Sequence, residues 1–336
     1  MDKVAWQIAI LFAGSALGGH YLGGYEWLRF FTYFGSWGTV GIALAGIGIG
    51  WICLQLLNYC HRHQVGSLYE LYLFLFGEAF ASSLSMITHL FLLAYAGVML
   101  GQQSVQFIPG LSSVWFVLLS LIVTISFLFK RWQWIVTGSG ICLGAGLLFF
   151  TLLFLRQPHV PIPGLGYQMN GSWVIHAVFF LALHLLLALA VLLPVAGRTD
   201  QPNAVRLGVG IGAGITLLFL LLGQAIFLSH WHDIHTSLSP VQMISSRLLP
   251  AGNWLFAILA LIQGGVLSAL LLHSLALPVT LRHQLQMPPL LFVMLLLVGV
   301  FALLPLFLPW SVSVVASGAT YCGLFLIGWF IWKRQT

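Results

Sequence analysis

The chain has 336 residues, 60 % of them hydrophobic and only 5 % charged, with twelve Lys and Arg against six Asp and Glu. A soluble domain keeps about 25 % charged residues to wet its surface, so this composition excludes a water-soluble globular protein and makes lipid the solvent. The pI near 9.4 does not point to nucleic acid, because the basic residues are dispersed one or two per loop and form no patch.

Membrane strands would read as short alternating segments, whereas these apolar runs are long and continuous; the class is all-α integral membrane. A span needs roughly 20 residues. Runs bounded by turn signals predict ten transmembrane helices, approximately over 4–33, 37–59, 76–101, 113–129, 133–155, 173–195, 205–228, 252–279, 287–307 and 310–332. Met1-Asp2-Lys3 is a weakly charged start, and no small-x-small site closes a short apolar region, so the first run reads as a retained helix rather than a signal peptide. Segment 66–75 is too short to span and is expected along the interface before the third helix. Pro158, Pro161 and Pro163 with Gly164 and Gly166 mark one extramembrane loop, and Pro194 to Pro202 marks the next. Cys53, Cys60, Cys142 and Cys322 show no CxxC spacing and read as packing residues.

Charge tests the map. With the N-terminus cytoplasmic, the inner loops hold Lys3, Arg62, Lys130, Arg131, Arg198, Arg206, Arg282, Lys333 and Arg334. The outer loops hold Arg156 and Arg247, with Arg29 near the outer end of the first helix. That bias predicts a multi-pass protein of an inner (cytoplasmic-type) membrane with both termini inside.

Polar groups inside spans are costly and point to internal sites. The first helix carries Gly18, Gly19, Gly23 and Gly24 around His20, a stretch that either unwinds to offer backbone groups to a ligand or allows close helix packing. Glu26 and Arg29 follow at i, i+3 and can pair, or Glu26 can serve near an outer gate. Glu78 is expected at the cytoplasmic interface. Span histidines fall at His20, His89, His176, His184 and His273. His20, His89 and His184 lie several residues from their span ends, where an imidazole either satisfies a core hydrogen bond or handles a proton or polar ligand. In HWHDIH, His230, His232, Asp233 and His235 could bind Zn²⁺ or Cu²⁺, or be an ordinary exposed loop. His61 and His63 flank Arg62 at a helix end and read as interfacial. The sequence holds no Walker loop, GxSxG, HExxH or paired carboxylates, so no enzyme and no cofactor is called for.

The stretch GGHYLGGYEWLRFFTYFGSWGTVGI (18–42) resembles the glycine-rich opening of the YkvI-like bacterial membrane proteins. AGVMLGQQ (96–103), LHLLLALAVLLP (183–194) and SPVQMISSRLLP (239–250) follow in the expected order. That family is similar to the amino acid–polyamine–organocation superfamily, whose LeuT-type fold is two inverted five-helix repeats. The resemblance implies a bacterial cytoplasmic (inner) membrane, and pseudo-repeats over roughly 1–156 and 170–334. It also implies a mid-membrane site walled by the first, third, sixth and eighth helices, the four that carry interior histidines. Two departures stand out: residues 173–193 hold no glycine or proline where the fold normally breaks its sixth helix, and His184 stands where an asparagine-like residue is expected. Ser268 and Ser274 are the hydroxyls the eighth helix offers, too few to assert Na⁺ over H⁺ as coupling ion.

The expected function is secondary active transport of a small polar solute (an amino acid, amine or related compound) by alternating access. Gly18–Gly24 would give backbone contacts, and His20, His89, His184 and His273 would line the cavity or carry a proton. The alternatives are a non-transporting sensor or membrane subunit of a larger complex, and a metal-ion transporter using the 230–235 histidines.

Overall fold

The computed structural model describes residues 3–17, 23–105, 113–157, 171–196, 199, 201–237 and 239–335. These are helical almost throughout, with no strand among them. In chain order the helices are α1 (Lys3–Ala16), α2 (Tyr25–Phe30), α3 (Ser36–Arg62), α4 (Leu68–Phe76), α5 (Glu78–Val105), α6 (Ser113–Leu128) and α7 (Trp132–Arg156). They continue with α8 (Ser172–Ala196), α9 (Pro202–Ser229), α10 (Trp231–Ile234), α11 (Pro240–Leu248), α12 (Gly252–His283), α13 (Met287–Phe307) and α14 (Ser311–Gln335).

Eight of them (α3, α5, α7, α8, α9, α12, α13 and α14) are long and apolar enough to cross a membrane, and α1 and α6 are shorter apolar helices. Most of the boundaries expected from sequence fall close to these ends. The first does not: the helix expected over 4–33 is two separate helices, α1 and α2, followed by a 3₁₀ turn at Thr32–Phe34. Gly24 caps α2 in the left-handed region, φ +78°, which a side chain would strain. The second difference is the hairpin of short helices α10 and α11 ahead of α12, where the apolar pattern predicts none. Segment 66–75 is a helix of its own, α4. Ser67 accepts from the Glu70 amide at 3.1 Å while the Glu70 carboxylate accepts from Gly66 N–H at 2.7 Å, a reciprocal N-terminal cap.

The central helix is α8, packed against α1, α3, α12 and α14. Of its most apolar stretch 83 % is buried inside the bundle, against 28 % for α14. An all-apolar helix with no polar face can sit in the middle or against lipid, and packing alone decides which. Small residues bring the backbones together: at Gly212 of α9 an added Cβ would stand 2.8 Å from the Ala9 carbonyl of α1, so the α1–α9 contact requires glycine. The four cysteines are free, three of them buried.

A polar staple fixes α2. Thr32 Oγ1 donates to Gln224 Oε1 at 2.9 Å, and Gln224 Nε2 donates to the Gly35 carbonyl at 3.1 Å, both buried. Trp27 stacks on Phe219 of α9 and meets Phe227 and Phe150 with ring centroids 5.4 and 5.1 Å away. These contacts hold the second half of the broken helix on α9.

Candidate functional site

Because α2 starts afresh after Gly24, Glu26 enters the bundle in the first turn of a new helix. Tyr95 Oη of α5, a fully buried side chain, donates to Glu26 Oε1 at 2.9 Å. On the other side His184 Nε2 of α8 lies 3.4 Å from Glu26 Oε2. His184 is wholly buried, its ring stacked on Phe180 with centroids 3.8 Å apart. The His184–Glu26 approach is close enough for an ion pair, yet neither imidazole nitrogen makes a well-aligned hydrogen bond. We read it as a charge contact held by packing.

A carboxylate inside a bundle is costly unless compensated. The Tyr95 hydroxyl compensates one oxygen, and the edge of the His184 ring lies against the other.

Beside this cluster Tyr95 also lines a small central cavity with Gly14 and Ser15 of α1, Leu187 and Val191 of α8, and Ser268 of α12. About 40 Å³ of it is open to water-sized centres, room for only a few waters, since one needs roughly 10–15 Å³. A polar group without a partner among the described residues borders its lining, Ser139 Oγ of α7, which packs against Gly14; the amide of the buried Gln263 on α12 is likewise without a partner. An unpaired buried polar group costs about 1–3 kcal/mol, which marks this as a place where water, an ion or a solute's polar atoms would be stabilised.

The residues singled out from sequence divide clearly. Glu26 and His184 are brought together, and Ser268 reaches the cavity. Gly23 and Gly24 precede α2; Gly18, Gly19 and His20 lie outside the described residues. His89 turns back on its own helix, with Nδ1 2.7 Å from the Ser85 carbonyl. His273 packs on Trp132 at the start of α7, ring centroids 5.0 Å apart. Both of these contacts lie outside the Glu26 cluster. Arg29 is exposed, its guanidinium 5.9 Å from the Phe30 ring centroid. Glu78 is exposed at the start of α5.

The 230–235 histidines do not converge. His230 is buried with Nδ1 3.0 Å from the Ile226 carbonyl, and His235 Nδ1 sits near the Trp231 and His232 carbonyls. Asp233 instead pairs with Arg247 across α10 and α11 at 2.6 Å. Among the described residues no group of three His, Cys, Asp or Glu could hold a metal. One short helical turn spreads the side chains round its axis, where an open loop would leave them free to converge. Sequence reasoning misses Tyr95 and Gln263; each shares its span with other polar residues, and nothing in the apolar pattern says which of them points inward.

No family model matches the chain. It is 24 % identical over 237 residues, 68 % of either chain, to an uncharacterised membrane protein, YkvI, of Bacillus subtilis (strain 168). Its fold matches a substrate-bound, outward-open Na⁺-coupled sialic acid symporter with TM-score 0.70, over 97 % of this chain and 78 % of that one at 15 % identity. A mutant manganese transporter of Eremococcus coleocola superposes with TM-score 0.61 at 14 % identity, covering 96 % and 76 %. The architecture is therefore the LeuT-type transporter fold. Within it the chain resembles YkvI, a bacterial membrane protein.

Proposed function

We propose that the protein is a secondary transporter that moves a small polar solute, an amino acid, amine or related compound, by alternating access. The observation that carries this reading is the cluster joining three elements: Glu26 on the broken first helix, Tyr95 on α5 and His184 on the buried α8. A movement of α2 relative to α8 breaks or makes that contact, so ion or solute binding there would bias the conformational equilibrium. The central cavity is too small for such a solute, which fits a closed state that must open to load.

The same reading takes ten spans, the eight long helices plus α1–α2 and α6, arranged as inverted repeats over roughly 1–156 and 170–334 with both termini in the cytoplasm. The first-helix glycines Gly18, Gly19, Gly23 and Gly24 supply backbone groups, with His20 among them. Glu26 and His184 carry the coupling proton; Na⁺ coupling would instead draw on Ser268 and the unpartnered Gln263. His89 and His273 then serve packing rather than the solute.

Uptake into proteoliposomes, driven in turn by a proton or a sodium gradient, tests the proposal. Glu26→Gln is expected to remove proton-driven uptake while the protein still reconstitutes. Wild-type uptake retained in both Glu26→Gln and His184→Phe would count decisively against it.

A further inference from the structure

Far larger than the central cavity is a groove of about 640 Å³ on the outside of the bundle, between α1 and α7 with Ile215 of α9 at one side. That is the scale of small-molecule sites, ~300–1,000 Å³. Its two ends differ in chemistry. At one end stand the Lys3 ammonium, the Gln7 and Gln133 amides and Thr137; at the other, Gly144, Leu147 and Ile215 leave an apolar channel. Arg131, which caps α7, and the adjoining Lys130 are exposed at the same polar end.

We propose that this groove binds one anionic phospholipid, its phosphate at the Lys3 end and an acyl chain along the glycine-floored channel. Length supports this. From Gln133 to Leu147 the helix rises about 21 Å at 1.5 Å per residue, which matches one leaflet with its headgroup layer, half of the ~40–45 Å bilayer. Chemistry supports it as well. A phosphate accepts from amide N–H and ammonium alike, and the Lys3 end offers both; the Thr137 hydroxyl already donates to the Gln133 carbonyl at 2.8 Å. Shape completes the case: at Gly144 an added Cβ would meet no atom within 4 Å, so glycine there leaves space in the channel that its neighbours do not fill. The groove lies against α1, the first half of the broken helix, so a lipid seated in it would hold α1 on α7. Its occupancy is independent of what the chain transports.

Native mass spectrometry of the full-length protein, delipidated in detergent, tests it. The titrants are phosphatidylglycerol, phosphatidylcholine of the same chains, and glycerol 3-phosphate as the headgroup without chains. Phosphatidylglycerol should be retained with roughly five-fold preference or more over phosphatidylcholine, and glycerol 3-phosphate should neither bind nor compete. Lys3→Gln combined with Gln133→Leu should abolish the preference. Gly144→Trp should block retention, while Gly328→Trp, on a face of α14 where an added Cβ also meets nothing within 4 Å, should leave it unchanged. Equal retention of the two lipids, displacement by glycerol 3-phosphate, or a Gly144→Trp protein that holds phosphatidylglycerol as the wild type does would overturn the proposal.

Discussion

The two elements that meet at the centre of this bundle are built in opposite ways. The α1–α2 element is two helices, the second restarting after a left-handed Gly24, so it places a carboxylate in a first helical turn. α8 runs unbroken from Ser172 to Ala196 and is mostly buried, so it can supply only a side chain, His184, on a rigid rod. A site made this way gets its adaptability from one side and its reference frame from the other. Within the buried leucine- and alanine-rich stretch of α8, a single imidazole is the polar handle the rod offers.

Four substitutions would break or sharpen that contrast. The largest effect is expected at Glu26: Glu26→Ala leaves His184 and the Tyr95 hydroxyl buried without their partner. Since charge-assisted bonds are worth about 1.5–3 kcal/mol, uptake in proteoliposomes should fall at least about ten-fold, with lower thermal stability. His184→Phe keeps the stacking on Phe180 and roughly the volume but removes the handle, so uptake should fall about ten-fold with little change in melting. Gly24→Ala forces a left-handed alanine, costing ~1–2 kcal/mol, and pushes a Cβ to 2.8 Å from Val241 Cγ2. Its thermal unfolding should shift clearly downward. The smallest effect is at the rod: Ala188→Gly gives α8 the residue that breaks the first helix, yet should cost only ~1 kcal/mol and leave uptake near wild type. A large loss of transport there would mean that α8 also bends in the cycle.

The span boundaries are legible because hydrocarbon thickness sets helix length and because charges collect in the loops. The α8 departure, no glycine or proline over 173–193, is equally readable, and the helix is continuous. The break of the first helix is legible as glycine pairs, but not that α2 begins at Tyr25 and turns Glu26 toward α5 and α8. Facing is the part that a membrane sequence hides. Solvent and core are both apolar, so His89 and His184 look alike in the chain although one bonds its own helix and the other meets Glu26. Tyr95 carries no signal beyond being an aromatic in an apolar run. The HWHDIH run reads as a ligand set because spacing along the chain suggests proximity, which the turn at α10 undoes.

Glu26 and His184 act, in this reading, as one unit joining the broken helix to the rod. A double-mutant cycle in proteoliposomes tests that most directly, comparing solute counterflow by Glu26→Gln, His184→Phe and the pair against the wild type. Strong non-additivity is expected, with the double variant no slower than the worse single one. Losses that simply multiply, or a double variant as fast as the wild type, would contradict it.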